Sequence, residues 1–114
     1  MTSTQGIKTV LHPVTDVEKA KPVYTALLGV EPMADSPYYV GYEAEGQQIG
    51  LVPNSKMTSP IAYWHVDDIE AKLAEVTAAG ATVQEKPHDV AEGRLVATVT
   101  DADGNVLGLI QDPQ

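Results

Sequence analysis

The sequence predicts an α+β fold. Two tandem βαβββ modules form one curved mixed sheet, with helices on its outer face and a cavity on its inner face. Three observations carry this reading. The order of strand, capped helix and three further strands is met twice along the chain. The helix caps repeat as Asp16 and Asp68. The last strand of each half also repeats, GQQIGL (46–51) against GNVLGL (104–109), so that Gly50 matches Gly108 and Leu51 matches Leu109. A unit of this size cannot bury its apolar face alone, whereas two packed together can.

The first module spans 7–53. IKTVLHPV (7–14) is rich in aliphatics and ends in turn residues, the signature of a strand. Thr15 and Asp16 supply cap chemistry for VEKAKPVYTALLG. Val17, Ala20, Val23 or Tyr24, Leu27 and Leu28 follow helical spacing, and Gly29 is the natural stop. Pro22 interrupts the pattern, since an interior proline removes a backbone bond, so a kink or an irregular first turn is expected there. VEPMA, PYYVGYEA and QQIGLVP then read as three strands, the last two joined by a tight turn at Glu45-Gly46. PNSKMTSP is rich in turn residues, and residues 54–58 are the linker.

The second module spans 59–111. SPIAYWHV (59–66) is a strand, and Asp67 or Asp68 caps a helix carrying Ile69, Leu73, Val76 and Ala79 on one face, with Gly80 as its stop. ATVQEKP, RLVATVTD and NVLGLIQD are three further strands, the last two joined at Asp103-Gly104. HDVAEG reads as a loop.

Composition narrows the function. The chain has 114 residues, a single-domain length (1–114), and is 43% hydrophobic, enough for a core. A formal net charge of −9 repels nucleic acid and anionic membrane surfaces, so neither is expected as a partner. There is no cysteine, hence no disulfide or thiolate chemistry. MTSTQG has neither the basic nor the apolar region of a signal peptide, and a cytoplasmic location is expected.

The segments VTDVEKAKPVYTALLG, VDDIEAKLAEVTAAGATV and TDADGNVLGLIQ, in this order and spacing, resemble the vicinal oxygen chelate superfamily of glyoxalases, bleomycin resistance proteins and extradiol dioxygenases. The resemblance covers about residues 7 to 111. It implies that metal-dependent members take their ligands from the first and last strands of each module. The matching positions here are Thr9, Gly50, Ile61 and Gly108. None carries a side chain that binds a divalent cation as zinc or non-haem iron sites require. The fold is therefore carried over but the metal is not, and no cofactor is expected. Two glycines in place of two carboxylates are also expected to leave room in the cavity.

Strand side chains alternate between faces. If Thr9 faces the cavity, so do Leu11 and Pro13; if Ile61 does, so do Tyr63 and His65. Gln48, Gly50 and Val52, then Val106, Gly108 and Ile110, complete the set. Tyr38, Tyr39 and Tyr42 offer aromatic walls, with one of Tyr38 and Tyr39 facing inward; Tyr39 is taken as the ligand-binding candidate. Arg94, beside Glu92, is a candidate anion clamp at the cavity mouth, against the plainer reading of an exposed rim charge. His12 falls on the helix side, Trp64 points away from His65 into the core, and His88 lies in a polar loop.

The expected ligand set is thus Thr9, Leu11, Tyr39, Gln48, Val52, Ile61, Tyr63, His65, Arg94 and Ile110. A mostly apolar pocket with few polar groups is the usual form of a small-molecule site. The leading expectation is a metal-free protein that binds or sequesters a small, partly apolar or aromatic molecule. The alternative is a metal-independent lyase or isomerase with His65 as general base and Tyr63 or Gln48 as hydrogen-bond donor. A third reading relocates metal ligands to His12, His65 and Glu43, but alternation puts His12 and His65 on opposite faces. Exposed sheet edges, and the resemblance, imply a homodimer.

Overall fold

The computed structural model describes residues 3–113. The fold is α+β, and the described residues form two helices and eight strands arranged as two βαβββ units. One compact unit is Lys8–Ile61; the other runs from Ala62 to the C-terminus and includes the segment up to Ile7.

The first unit contains β1 (Thr4–Val14, of which the part from Lys8 belongs here), α1 (Val17–Leu28), β2 (Ala34–Ser36), β3 (Tyr39–Ala44) and β4 (Gln47–Pro53). Its strand order is β2-β3-β4-β1, with β1 parallel to β4 and the other pairs antiparallel. Asp16 caps α1 as expected: its Oδ1 accepts the N–H groups of Glu18 and Lys19 at 3.0 and 3.4 Å. Gly29 closes the helix at φ 72°, a left-handed conformation that glycine adopts without steric cost. Val17, Ala20, Tyr24 and Leu28 pack with Val40, Tyr42 and Leu51 in one core. The choice between Val23 and Tyr24 thus falls to Tyr24, while Val23 and Leu27 are exposed.

Pro22 does not end α1. Tyr42, 2% exposed, reaches the helix at this turn. Its Oη donates to the Lys21 carbonyl at 3.1 Å and lies 2.9 Å from Thr25 Oγ1. A backbone segment weakened by the missing proline N–H is held from the sheet instead.

The second unit contains β5 (Ile61–Val66, of which the part from Ala62 belongs here), α2 (Ile69–Ala78), β6 (Thr82–Ala91), β7 (Arg94–Thr100) and β8 (Val106–Gln111). Its order is β5-β8-β7-β6, with β5 parallel to β8 and the rest antiparallel. Asp68 caps α2 by accepting the Ala71 N–H at 3.1 Å. Gln111 Oε1 adds a second contact, accepting the Ile69 N–H at 2.7 Å. Ile69 and Leu73 pack with Val66, Ala97 and Leu109.

Several expected bounds change. β1 begins at Thr4 rather than at residue 7. The strand expected over VEPMA is absent; β2 lies at Ala34–Ser36, and Pro32 falls outside it. HDVAEG is not a loop. Residues through Ala91 continue β6, with irregular register against β7, and only Glu92-Gly93 make the turn. His88 is therefore a strand residue, its Nδ1 3.0 Å from the Lys86 carbonyl. No helix among the described residues is long and apolar enough to cross a membrane.

Candidate functional site

In the first unit, register fixes which side chains share a face. Thr9 pairs with Gln48, Leu11 with Gly50 and Pro13 with Val52; Gly41 also pairs with Gly50. Thr9, Leu11, Gln48 and Val52 therefore lie together on the face away from α1, as alternation predicts. Thr9 is buried, and its Oγ1 donates to Gln48 Oε1 at 3.2 Å. Of the two adjacent tyrosines, Tyr39 joins this face, while Tyr38 is 81% exposed. Tyr42 does not join it; it belongs to the helix-side core, which corrects its place among the aromatic walls.

The Tyr39 ring covers the two paired glycines. A Cβ at Gly50 would stand 2.5 Å from Tyr39 Oη and 2.6 Å from Leu11 Cδ2, and a Cβ at Gly41 would stand 2.9 Å from Tyr39 Cε2. The second unit repeats the device. Tyr63 pairs with Gly108, and a Cβ there would lie 2.4 Å from Tyr63 Cδ2 and 2.6 Å from Cγ. The expectation of vacated room is therefore wrong at both glycines. Aromatic rings already occupy the space, covering backbone that lacks a side chain of its own.

The face carrying Tyr63 also carries His65, Val96, Thr98 and Ile110. Tyr63 and His65 are each 6% exposed. Burial pushes the Tyr63 phenol pKa up, and the negative charge of Glu85 pushes the same way, so Tyr63 stays protonated at neutral pH. Thr98, 2% exposed, donates from Oγ1 to Gln84 Oε1 at 2.9 Å. At the end of this face His65 Nδ1 lies 3.2 Å from Asp112 Oδ2, and Arg94 Nε lies 2.9 Å from Asp112 Oδ1. A cleft of about 220 Å³ opens here, lined by Gln5, His65, Val66, Asp67, Gln111, Asp112 and Pro113. Gln5 donates to Asp67 across it.

Arg94 thus joins the expected His65 face, but its guanidinium is engaged by Asp112. Ile61, at the start of β5, is buried. His12 is on the α1 side as expected, its ring 5.1 Å from that of Tyr24, and burial there lowers its pKa. Glu43 pairs with Gln48 and so takes the other face of the same sheet, which parts two of the three relocated ligands. Among the described residues, no group of three or more His, Asp or Glu is placed to hold a metal ion. At the two positions where the resemblance implies carboxylates, a side chain would also have to displace Tyr39 and Leu11, or Tyr63. The donor set does not fit that metal.

Asp112, Thr98 and Gln84 escaped the sequence reading. Asp112 carried one usable signal: it continues the alternation of Gly108 and Ile110 by two residues, just past the strand end.

The family profile described as Glyoxalase/Bleomycin resistance protein/Dioxygenase superfamily matches residues 6–109. Among curated proteins none matches the sequence. Methylmalonyl-CoA epimerase from Mycobacterium tuberculosis is similar in structure at TM-score 0.80 and 16% identity, covering 100% of this chain and 92% of that one. A hypothetical protein from Bacillus halodurans matches at TM-score 0.80 and 20% identity, over 98% and 96% of the two chains. A Mn(II)-bound glyoxalase from Novosphingobium aromaticivorans matches at TM-score 0.76 and 20% identity, over 98% of this chain and 40% of that one. At these identities the likeness is one of fold.

Proposed function

We propose that this chain, which belongs to the Glyoxalase/Bleomycin resistance protein/Dioxygenase superfamily, binds a small, partly apolar or aromatic molecule without a metal ion, on the sheet face that carries Tyr63 and His65. The observation that carries the reading is the pairing of tyrosine ring with glycine. Where a metal-dependent relative is expected to present a carboxylate, Gly108 lies beneath Tyr63. What the face offers instead is an aromatic wall, aliphatic Val96 and Ile110, and a few buried polar groups, Tyr63, His65 and Thr98. Such a mixture suits a small-molecule site. A net charge of −9 favours neutral or cationic ligands over anions.

Calorimetric titration with a panel of small aromatic and cationic compounds tests this. Saturable binding that weakens at least tenfold in Tyr63→Ala supports the reading. One tightly bound transition metal per chain, in protein purified without a histidine tag, refutes it.

A second reading is favoured by the contact between His65 and Asp112. A histidine held by a carboxylate is the arrangement of a general base, and a metal-independent lyase or isomerase would use it. Turnover that disappears in His65→Ala while ligand binding persists would favour catalysis over sequestration.

The homodimer and the cytoplasmic location are likewise proposals. β6 ends its unit's strand order and leaves an unpaired edge of ten residues, the kind that recruits another strand. A monomer by light scattering at micromolar concentration refutes the dimer.

A further inference from the structure

Asp112 stands between two side chains, and each of its oxygens serves one of them. Oδ2 lies 3.2 Å from His65 Nδ1, and Oδ1 lies 2.9 Å from Arg94 Nε. The register of β8 produces this meeting. His65 pairs with Ile110 and Leu95 pairs with Gln111, so the next residue along, Asp112, arrives beside both His65 and Arg94. The guanidinium stays charged across the accessible pH range and attracts the carboxylate it contacts. The cleft's other carboxylate, Asp67, takes the Gln5 amide.

A neutral imidazole carries a single N–H, and the hydrogen bond made by one nitrogen decides which of the two it is. An ionised carboxylate can only accept. A neutral His65 facing the Asp112 oxygen therefore carries its proton on Nδ1.

We propose that Asp112, braced by Arg94, is a positioning residue that holds neutral His65 in the Nδ1–H tautomer and makes Nε2 the basic nitrogen of the ring. Tyr63 lies two residues back on the same face of β5. The face thus carries an imidazole of fixed tautomer and a phenol on one strand. The inference deepens the second reading above by assigning the partner that would orient its base. The tautomer is measurable with no ligand present, so failure here is separate from failure of the catalytic reading.

The test is a long-range ¹H–¹⁵N correlation spectrum of the histidine rings in ¹⁵N-labelled full-length protein at about pH 8.5, about two units above the ordinary histidine pKa. His65 is assigned by its loss in His65→Gln. The wild type should show a protonated Nδ1 and an unprotonated Nε2. In Asp112→Asn, the positive charge of Arg94, whose Nε lies 2.9 Å from Oδ1, favours the amide oxygen on that side, which turns the amide NH₂ toward His65. Nδ1 then becomes an acceptor, and the proton moves to Nε2. Asp112→Glu should restore the wild-type pattern. A wild-type His65 protonated on Nε2 overturns the proposal, as does an Asp112→Asn spectrum unchanged from wild type. Should Asp112→Asn fail to fold, the wild-type spectrum alone decides.

Discussion

Gly108 is the position at which the ring-over-glycine reading meets its hardest test. Its backbone is not in the left-handed region, so alanine is conformationally acceptable there. The obstacle is space: the new Cβ would stand 2.4 Å from Tyr63 Cδ2, 2.6 Å from Cγ and 2.7 Å from Cε2. These are atoms along the root and edge of a ring that is 6% exposed, so the ring has to move as a body. Overpacking of this kind costs about 1–3 kcal/mol. Replacing glycine within a strand returns about 0.5–1 kcal/mol. Gly108→Ala should therefore destabilise by about 1–2 kcal/mol. In a Tyr63→Ala background the clash is gone, and the same substitution should stabilise by about 0.5–1 kcal/mol. Urea denaturation of the four proteins closes a double-mutant cycle, with an expected coupling of about 2 kcal/mol. Gly50→Ala is the control. There the contacts are the Tyr39 hydroxyl and the tip of Leu11, and Tyr39 is 39% exposed, so the obstruction can swing aside and the cost should be smaller. A Gly108→Ala variant as stable as wild type, with zero coupling to Tyr63, would refute the reasoning.

Three further outcomes are expected. Tyr42→Phe removes both hydroxyl contacts to α1 beside Pro22 and should cost about 1–2 kcal/mol, read by urea denaturation. At the β6–β7 turn, Glu92 (φ 45°) precedes Gly93 (φ 94°), and Glu92→Asn should raise stability by about 0.5 kcal/mol because Asn-Gly suits a turn with both φ values positive. The Asp101 pKa is lowered, chiefly by hydrogen bonds from the Asn105 side chain and backbone. A depressed carboxyl pKa contributes stability above the unfolded value and loses it as pH falls through the folded one. Asp101→Asn should therefore be less stable than wild type at pH 7, with the gap closing below about pH 4 in thermal melts.

Local physics was legible and long-range pairing was not. Asp16 and Asp68 declare themselves by type and position, and Gly29 closes α1 because its backbone is left-handed. Alternation placed Thr9, Leu11 and Gln48 on one face, and Tyr63, His65 and Ile110 on another. It also put His12 under α1. Where a strand's partner was unread, parity could not be set. The inward tyrosine follows only from the pairing of Gly41 with Gly50, which also sends Tyr42 to the opposite face. The turn-rich HDVA segment became strand because β7 supplies hydrogen-bond partners, absorbing the mismatch as register shifts. Asp112 was missed for the same reason. Its meaning depends on residues far away in the chain, His65 and Arg94, rather than on any neighbour.

The pairing of ring with glycine also constrains how this chain relates to metal-dependent relatives of the same fold. Gly108→Glu meets the same obstacle as Gly108→Ala, because its first side-chain atom stands against the Tyr63 ring. Relieving it by shrinking Tyr63 would strip a buried aromatic from the sheet face, at about 3–5 kcal/mol by analogy with other large aromatics cut to alanine. The first unit has the same lock, with Tyr39 and Leu11 over Gly50, but a looser one, since Tyr39 is partly exposed. At each site a ring and a carboxylate on the glycine would thus compete for the same space. At both glycines the ring contributes packing to the sheet face. That is the physical ground for reading this face as a binding surface built from a phenol, an imidazole and aliphatic side chains.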